Sequence, residues 1–216
     1  MANGCYLRGD EVIFRCEGVE SVLLERKVIG LRGSHNIENV LAAATAARLA
    51  GAEPAAIAEG VRTFAGVEHR IEYVATISGV EYFNDSKATN VDATLKALDA
   101  FPGRILVILG GKDKGSDYTV LQKPLREKAI LALLIGTASE KIEKQISGSV
   151  AMERAGTLER AVEIASHVAQ AGNVVLLAPA CASFDQFENY EHRGRVFKEL
   201  IRGLSQNSSA NSSGKE

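Results

Sequence analysis

Three short segments concentrate side chains able to do chemistry. The first, Asn84-Asp85-Ser86-Lys87-Ala88-Thr89-Asn90, packs a carboxylate, an ammonium, two hydroxyls and two amides into one stretch. It follows an alternating apolar run and precedes a helical pattern. A strand-to-helix junction of this kind aims backbone N–H groups beyond the sheet edge, where an anion is well received. A purely structural loop needs about one of these side chains as a cap. The surplus points to ligand binding.

The second segment, Gly110-Gly111-Lys112-Asp113-Lys114-Gly115, leaves an apolar strand directly. Glycines allow close backbone approach and lysines neutralise anions. Taken alone, it also reads as an ordinary glycine turn with solvated lysines, because short glycine motifs are weak signals. The third, Ala180-Cys181-Ala182-Ser183-Phe184-Asp185-Gln186-Phe187, follows Pro179. Its small residues admit a ligand and Ser183 offers a hydroxyl; the plainer alternative makes Ser183 or Asp185 a helix cap. Cys181 has no evident base beside it and reads as a buried, inert thiol. His192 has no partner visible in the sequence.

Two smaller features remain. Arg70, after His69, stands where two differently patterned segments join, so it is either a phosphate clamp or a surface linker residue. Asn36 and Asn39 open an Ala-rich helix, where Asn36 serves as a cap or an amide reads a nucleobase edge. No Gly-x-x-x-x-Gly-Lys-Ser/Thr triphosphate loop occurs in the sequence.

The bulk properties narrow the classes. Of 216 residues, 46% are hydrophobic and 24% charged, with a formal net charge of -2. That balance suits a soluble protein and gives no electrostatic case for nucleic acid or an anionic membrane. No apolar run nears the roughly 20 residues of a membrane span, and Met1–Tyr6 lacks the form of a signal peptide. Three cysteines without metal-ligand spacing argue for reduced thiols in the cytoplasm.

The elements that position these segments fall into two parts. Residues 1–66 carry two β-like runs, Glu11–Arg15 and Ser21–Ile29. Helices over Ile37–Ala50 and from Pro54 to about Phe64 follow, too little for an independent core. From about residue 67 come a hairpin, Ile71–Ile77 and Val80–Asn84, and a helix from Asn90 to about Phe101. Strands over Arg104–Leu109, Ile130–Ile135, Val150–Glu153 and Val174–Leu177 alternate with helices over Leu121–Lys128 and Ser139–Ile146. A further helix is capped by Thr157 and ended by Gly172, and the last covers 193–203. This predicts an α/β fold with a mostly parallel sheet covered on both faces. Residues 205–216, rich in Ser and Asn, read as a disordered tail.

Together the motifs resemble the Mur ligase family, in its D-glutamate-adding branch. The resemblance runs from about Cys5 to Leu204. It rests on Gly33-Ser34-His35-Asn36-Ile37-Glu38-Asn39, Phe64-Ala65-Gly66-Val67-Glu68-His69-Arg70, Asn84–Asn90, Gly110–Asp117 and Pro179–Gly194. It implies that residues 1–66 are the end of a central ATPase domain, and 67–204 a C-terminal Rossmann-like domain that binds D-glutamate. The activity implied is ATP-dependent: D-glutamate is joined to UDP-N-acetylmuramoyl-L-alanine through an acyl phosphate, in peptidoglycan synthesis.

Further roles follow from the resemblance. Asn36 and Asn39 would contact the nucleotide from one side, and Arg70 and Asp85 would contact ATP from the other. Lys87, Thr89, Lys114, Ser183, Phe184 and Tyr190 would surround D-glutamate, with Lys87 and Arg70 catalytic. Phe184 stands where Leu is common and Tyr190 where Phe is common; both keep an apolar wall. ATP and Mg²⁺ are the implied cofactors, with the metal ligands outside this chain, and a cytoplasmic monomer is expected. Without a P-loop, the chain alone is expected to be inactive. The alternatives are a stand-alone module that binds an amino acid or nucleotide, and a sister Mur or folylpolyglutamate-type ligase.

Overall fold

The computed structural model describes the backbone of residues 3–212 and the side chains as far as Gln206. The chain divides into two compact units, Met1–Gly66 and Val67–Glu216.

The first unit is a three-stranded antiparallel meander, β1 (Gly4–Arg8), β2 (Glu11–Cys16) and β3 (Val19–Glu25), with helices α1 (Ser34–Leu49) and α2 (Pro54–Thr63). Val12, Phe14, Leu23, Leu24, Ala44 and Ile57 form its small core. Strand β1 is not anticipated by the sequence pattern. Gly4-Cys5-Tyr6-Leu7-Arg8 alternates only weakly, and its place comes from pairing Cys5 with Phe14 and Leu7 with Val12. The second β-like run also ends early, at Glu25, where a 3-10 turn over Arg26–Val28 begins. Helix α1 closes on Ala50, with Gly51 at φ 92° just beyond it, and Pro54 occupies the first turn of α2.

The second unit contains β4 (Glu72–Ile77), β5 (Val80–Asn84), α3 (Val91–Asp99), β6 (Ile105–Gly110), α4 (Gln122–Lys128), β7 (Ala129–Ile135), α5 (Ser139–Gln145), β8 (Met152–Gly156), α6 (Leu158–Val168), β9 (Val174–Leu177) and α7 (Tyr190–Ser212). The sheet order is β4-β5-β9-β6-β7-β8. All its pairings are parallel except that of β4 with β5. Every residue of β6 and β9 is buried, as a central parallel strand covered on both faces requires. One core lies under α3, α4 and α5; the other lies under α6 and α7.

Some element ends differ from the sequence reading. Thr157 caps α6 by accepting from Arg160 N–H, but the helix stops at Val168, four residues before Gly172. Helix α7 starts at Tyr190 rather than 193, and its backbone runs to Ser212 through the stretch that reads as a tail. Residues 213–216 of that stretch lie outside the described residues.

This topology brings the chemically rich segments together. Strands β5, β9 and β6 are neighbours, so the loops after them leave the same sheet edge side by side. Backbone hydrogen bonds then join the loops. Ala180 N–H donates to Ala88 O at 2.9 Å, Gly110 N–H to Pro179 O at 2.8 Å, and Lys112 N–H to Ala182 O at 2.8 Å.

Candidate functional site

The Asn84–Asn90 loop divides its side chains between the fold and the open edge. Asn84 and Ser86 are fully buried. Asn84 Oδ1 accepts from Ser86 N–H at 3.1 Å. That fixes the amide orientation, so Asn84 Nδ2 donates: to His69 Nδ1 at 2.9 Å, Glu72 Oε2 at 3.0 Å and Gly194 O at 3.4 Å. His69 Nδ1 is therefore an acceptor and its proton sits on Nε2, 3.7 Å from Glu68 Oε1. Burial lowers the His69 pKa, in keeping with a neutral ring. Gly194 exists for this ring, since a Cβ there would overlap the imidazole.

Ser86 Oγ donates to Tyr190 O at 2.8 Å and accepts from Arg193 Nε at 2.9 Å. Asn90 caps α3 by accepting from Ala93 N–H. These three residues of the crowded loop are engaged in holding it. The side chains of Lys87 and Thr89 are not. Among the described residues no hydrogen bond engages the Lys87 ammonium or the Thr89 hydroxyl. Lys87 Nζ stands 5.4 Å over the Tyr190 ring.

Arg70 is presented in a strained turn. It lies between His69 at φ 65° and Ile71 at φ 42°, both in the left-handed region that a β-branched residue avoids. The buried His69 side chain and the Lys87 N–H to His69 O bond, at 3.1 Å, hold that turn. Asp85 faces it: Ile71 N–H donates to Asp85 Oδ1 at 3.3 Å. Burial pushes the Asp85 carboxyl up to about 6, against the Ile71 N–H and the Arg70 charge, which pull it down.

In the loop after β6, Asp113 is the anchor. Lys141 Nζ donates to Asp113 Oδ2 and Tyr118 OH to Oδ1, each at 2.8 Å. Partial desolvation works to raise the Asp113 pKa, but these bonds and Ser116 N–H outweigh it and hold it at about 2. The same Tyr118 hydroxyl lies 2.9 Å from Cys181 Sγ, and burial pushes that thiol up to about 11. Cys181 is thus a protonated, inert thiol at neutral pH. Lys112 and Lys114 are exposed, and no hydrogen bond among the described residues engages the Lys114 ammonium.

In the loop after β9, Ser183 is not a helix cap. Its carbonyl accepts from Gln186 and Phe187 N–H in a turn. Its hydroxyl has no hydrogen-bond partner among the described residues, although the residue is buried. Asp185 caps no helix in its own loop; it reaches across to the loop after β7, where Oδ2 accepts from Thr137 N–H at 3.0 Å. Phe184 is 66% exposed beside Ser183. The second unit thus carries a set of uncommitted donors, Lys87, Thr89, Lys114 and Ser183, on adjacent loops. The Tyr190 ring lies under the Lys87 ammonium, and Phe184 follows Ser183 directly in the chain. Such a set suits a small anion bearing more than one carboxylate.

Asn36 and Asn39 belong to the first unit. The cap of α1 is Gly33, and Asn36 sits one turn inside, donating to Arg32 O at 2.7 Å. Asn39 Nδ2 donates to Asn36 Oδ1 at 3.3 Å. A shallow cleft bounded by Arg26, Ile29, Leu31, Gly33, Ser34 and Ile37 opens at this end of α1.

A metal has no ready place. Among the described residues the one trio of donor side chains is Glu68, His69 and Glu72. Lys198 already sits between its carboxylates, donating to Glu68 Oε1 and, at 2.9 Å, to Glu72 Oε1, and Asn84 Nδ2 already donates to His69 Nδ1. The residues present therefore do not fit Mg²⁺.

One buried residue of this region escapes the sequence reading: Arg193. It lies in line with Phe197 and Ile201 on α7, and all three are fully buried. A charged residue at helical spacing on an apolar stripe is the signal that marks it.

Known proteins resemble this chain in sequence and in fold. Residues 69–181 match the family described as "Mur ligase, glutamate ligase domain". A UDP-N-acetylmuramoylalanine–D-glutamate ligase from Solibacter usitatus is 62% identical over 85% of this chain and 41% of its own length. One from Koribacter versatilis is 52% identical over 94% of this chain and 45% of its own. The chain therefore spans less than half the length of these relatives. Among solved structures, a pseudomurein peptide ligase type C from Methanothermus fervidus is similar in fold. Its TM-score is 0.66 at 21% identity, covering 92% of this chain and 41% of that one.

Proposed function

The chain belongs to the Mur ligase family, and on that premise we propose that it supplies the D-glutamate side of a UDP-N-acetylmuramoyl-L-alanine:D-glutamate ligase. The observation that carries this reading is the 62% identity, over 85% of the chain, with a relative of that name. The set of uncommitted donors on the three loops supports it.

The reaction forms an acyl phosphate on the carboxylate of UDP-N-acetylmuramoyl-L-alanine, with ATP as phosphoryl donor. The D-glutamate amine then attacks the acyl carbon, and phosphate leaves with the bonding electrons of the C–O bond. In this reading Lys87 and Lys114 neutralise the two carboxylates of D-glutamate, and the Thr89 and Ser183 hydroxyls donate to the same oxygens. Charge-assisted hydrogen bonds of this kind contribute about 1.5–3 kcal/mol each. Tyr190 and Phe184 form the apolar wall, and Tyr190 keeps the Lys87 stem from folding away. Fixing the amine in place is the main catalytic contribution.

Arg70 would meet the ATP phosphates, and Asp85 a donor hydroxyl of the same nucleotide. Asn36 and Asn39, beside the cleft of the first unit, would read the nucleobase. That first unit is then the end of an ATP-binding domain, and 67–204 the amino-acid-binding domain. Mg²⁺ accompanies ATP in this chemistry, and none of these steps uses it through the described residues. The free thiols Cys5, Cys16 and Cys181 accord with a cytoplasmic setting, and the enzyme would act as a monomer.

The test joins this chain to the preceding part of the Solibacter usitatus relative. Phosphate release should then depend on both ATP and D-glutamate, and the chain alone, having no triphosphate loop, should release none. Lys87→Ala should raise the KM for D-glutamate by about tenfold or more, as loss of one charged contact implies. An unchanged KM would remove Lys87 from the site.

A further inference from the structure

Arg193 is fully buried, yet among the described residues no carboxylate forms an ion pair with it. Asp185 acts on it through space, without a hydrogen bond. Its five donors instead meet neutral oxygens on two different loops. Towards the loop after β5, Nε donates to Ser86 Oγ at 2.9 Å and Nη2 to Ser86 O at 2.8 Å. Towards the loop after β9, Nη1 and Nη2 donate to Cys181 O at 3.2 and 3.3 Å, and Nη1 reaches Ala182 O at 3.5 Å. The loop after β6 closes over the same group: a Cβ on Gly111 would stand 3.3 Å from Nη1.

A plain packing role does not account for this. A buried cation is costly when no anion compensates it, and an apolar side chain of similar size fills space without that cost. Only a planar fork of N–H groups reaches acceptors of both loops at once, which a point-charge ammonium does not. The residues gripped are also telling. Ser86 directly precedes Lys87, and Ala182 directly precedes Ser183.

We propose that Arg193 is a positioning residue: its guanidinium sets the spacing between the loop presenting Lys87 and Thr89 and the loop presenting Ser183. It touches no substrate. It keeps the donors of two separate loops at a fixed separation, as recognition of a small dicarboxylate requires. Identifying the dicarboxylate as D-glutamate rests on the ligase reading; the bridge itself does not.

The experiment has an arm for each. In this chain, Arg193→Lys should speed amide hydrogen exchange about tenfold in both 84–90 and 180–187, leaving β6 and β9 protected. Exchange unchanged in both loops, or raised equally through the whole sheet, would overturn the bridge. Should that variant fold poorly, Ser86→Ala removes one acceptor only. It should loosen 180–183, on the far side of the guanidinium, as well as its own loop; a response confined to 84–90 would overturn the proposal.

In the chimera with the preceding part of the Solibacter usitatus relative, Arg193→Lys should raise the D-glutamate KM about tenfold while the ATP KM changes less than about twofold. Equal changes in both would mean general damage and would overturn a positioning role. If the unsubstituted chimera shows no D-glutamate-dependent turnover, the ligase reading fails. The exchange data still decide the role of Arg193.

Discussion

Two loops leave the same sheet edge, and they are held by different physics. The loop after β5 is fixed by side chains: Asn84, Ser86 and Asn90 give their polar groups to His69, Glu72, Tyr190, Arg193 and the start of α3. The loop after β6 is fixed by the absence of side chains and one ion pair. Gly110 sits at φ 120°, where a Cβ would overlap the Ile135 carbonyl, and Asp113 is tied to Lys141 and Tyr118. Both devices end in the same result, a free lysine on a rigid support. The difference teaches that a polar residue in such a loop is an anchor or a presenter according to its burial. Residue type alone does not tell the two apart.

The comparison breaks most severely at the glycine. Gly110→Ala forces a strained φ and a clash with backbone, and should destabilise by about 4 kcal/mol or more, read by urea unfolding. If it folds normally, steric exclusion does not hold the second loop. Asn84→Ala should cost about 2–3 kcal/mol, because the Ser86 N–H and a Glu72 oxygen each lose a buried partner.

Asp85→Asn works in the opposite direction. The folded carboxyl, at about 6, lies above its ordinary value of 3.8. The folded state therefore binds the extra proton between pH 4 and 6, and wild-type stability falls as pH rises through that window. The gap of about two pKa units corresponds to about 2–3 kcal/mol. The variant should gain that much at pH 7 and nothing below pH 4, seen as thermal midpoints across the pH range. A stabilised variant that, placed in the chimera with the Solibacter usitatus relative, also loses ATP-dependent turnover would mark Asp85 as a residue kept for function.

The smallest effect is expected from Lys141→Ala. Its pairing with Asp113 is partly exposed, so stability should drop by about 1 kcal/mol or less. Hydrogen exchange of 112–116 should nonetheless rise, since Asp113 loses one of its two side-chain anchors. A large stability loss would show that the ion pair supports the core.

Much of the architecture was legible beforehand because continuous apolar runs such as Ile105–Gly110 admit few placements other than a central parallel strand. Strand β1 was hidden because Gly4–Arg8 is too weakly patterned to declare a face; it becomes a strand only when β2 offers a partner. The candidate site was legible as segments. Residue type and position picked out the loops, the family resemblance named Lys87, Thr89, Lys114 and Ser183 within them, and among the described residues all four polar groups are left uncommitted. Asn84 and Ser86 looked equally chemical and turned out to be buried supports. Arg193 was passed over because an arginine in an amphipathic helix ordinarily faces water.

By itself, then, the sequence determined which strands are central, where the loops fall and which loops concentrate charged and polar side chains. Those properties follow from local hydrophobic periodicity and turn chemistry. Only the tertiary structure decided which of the polar groups face inward. It placed β9 between β5 and β6, and so brought residues about a hundred positions apart, Ser86 and Arg193 among them, into hydrogen-bond contact. Burial and long-range pairing are properties of the assembled sheet, and no local pattern encodes them.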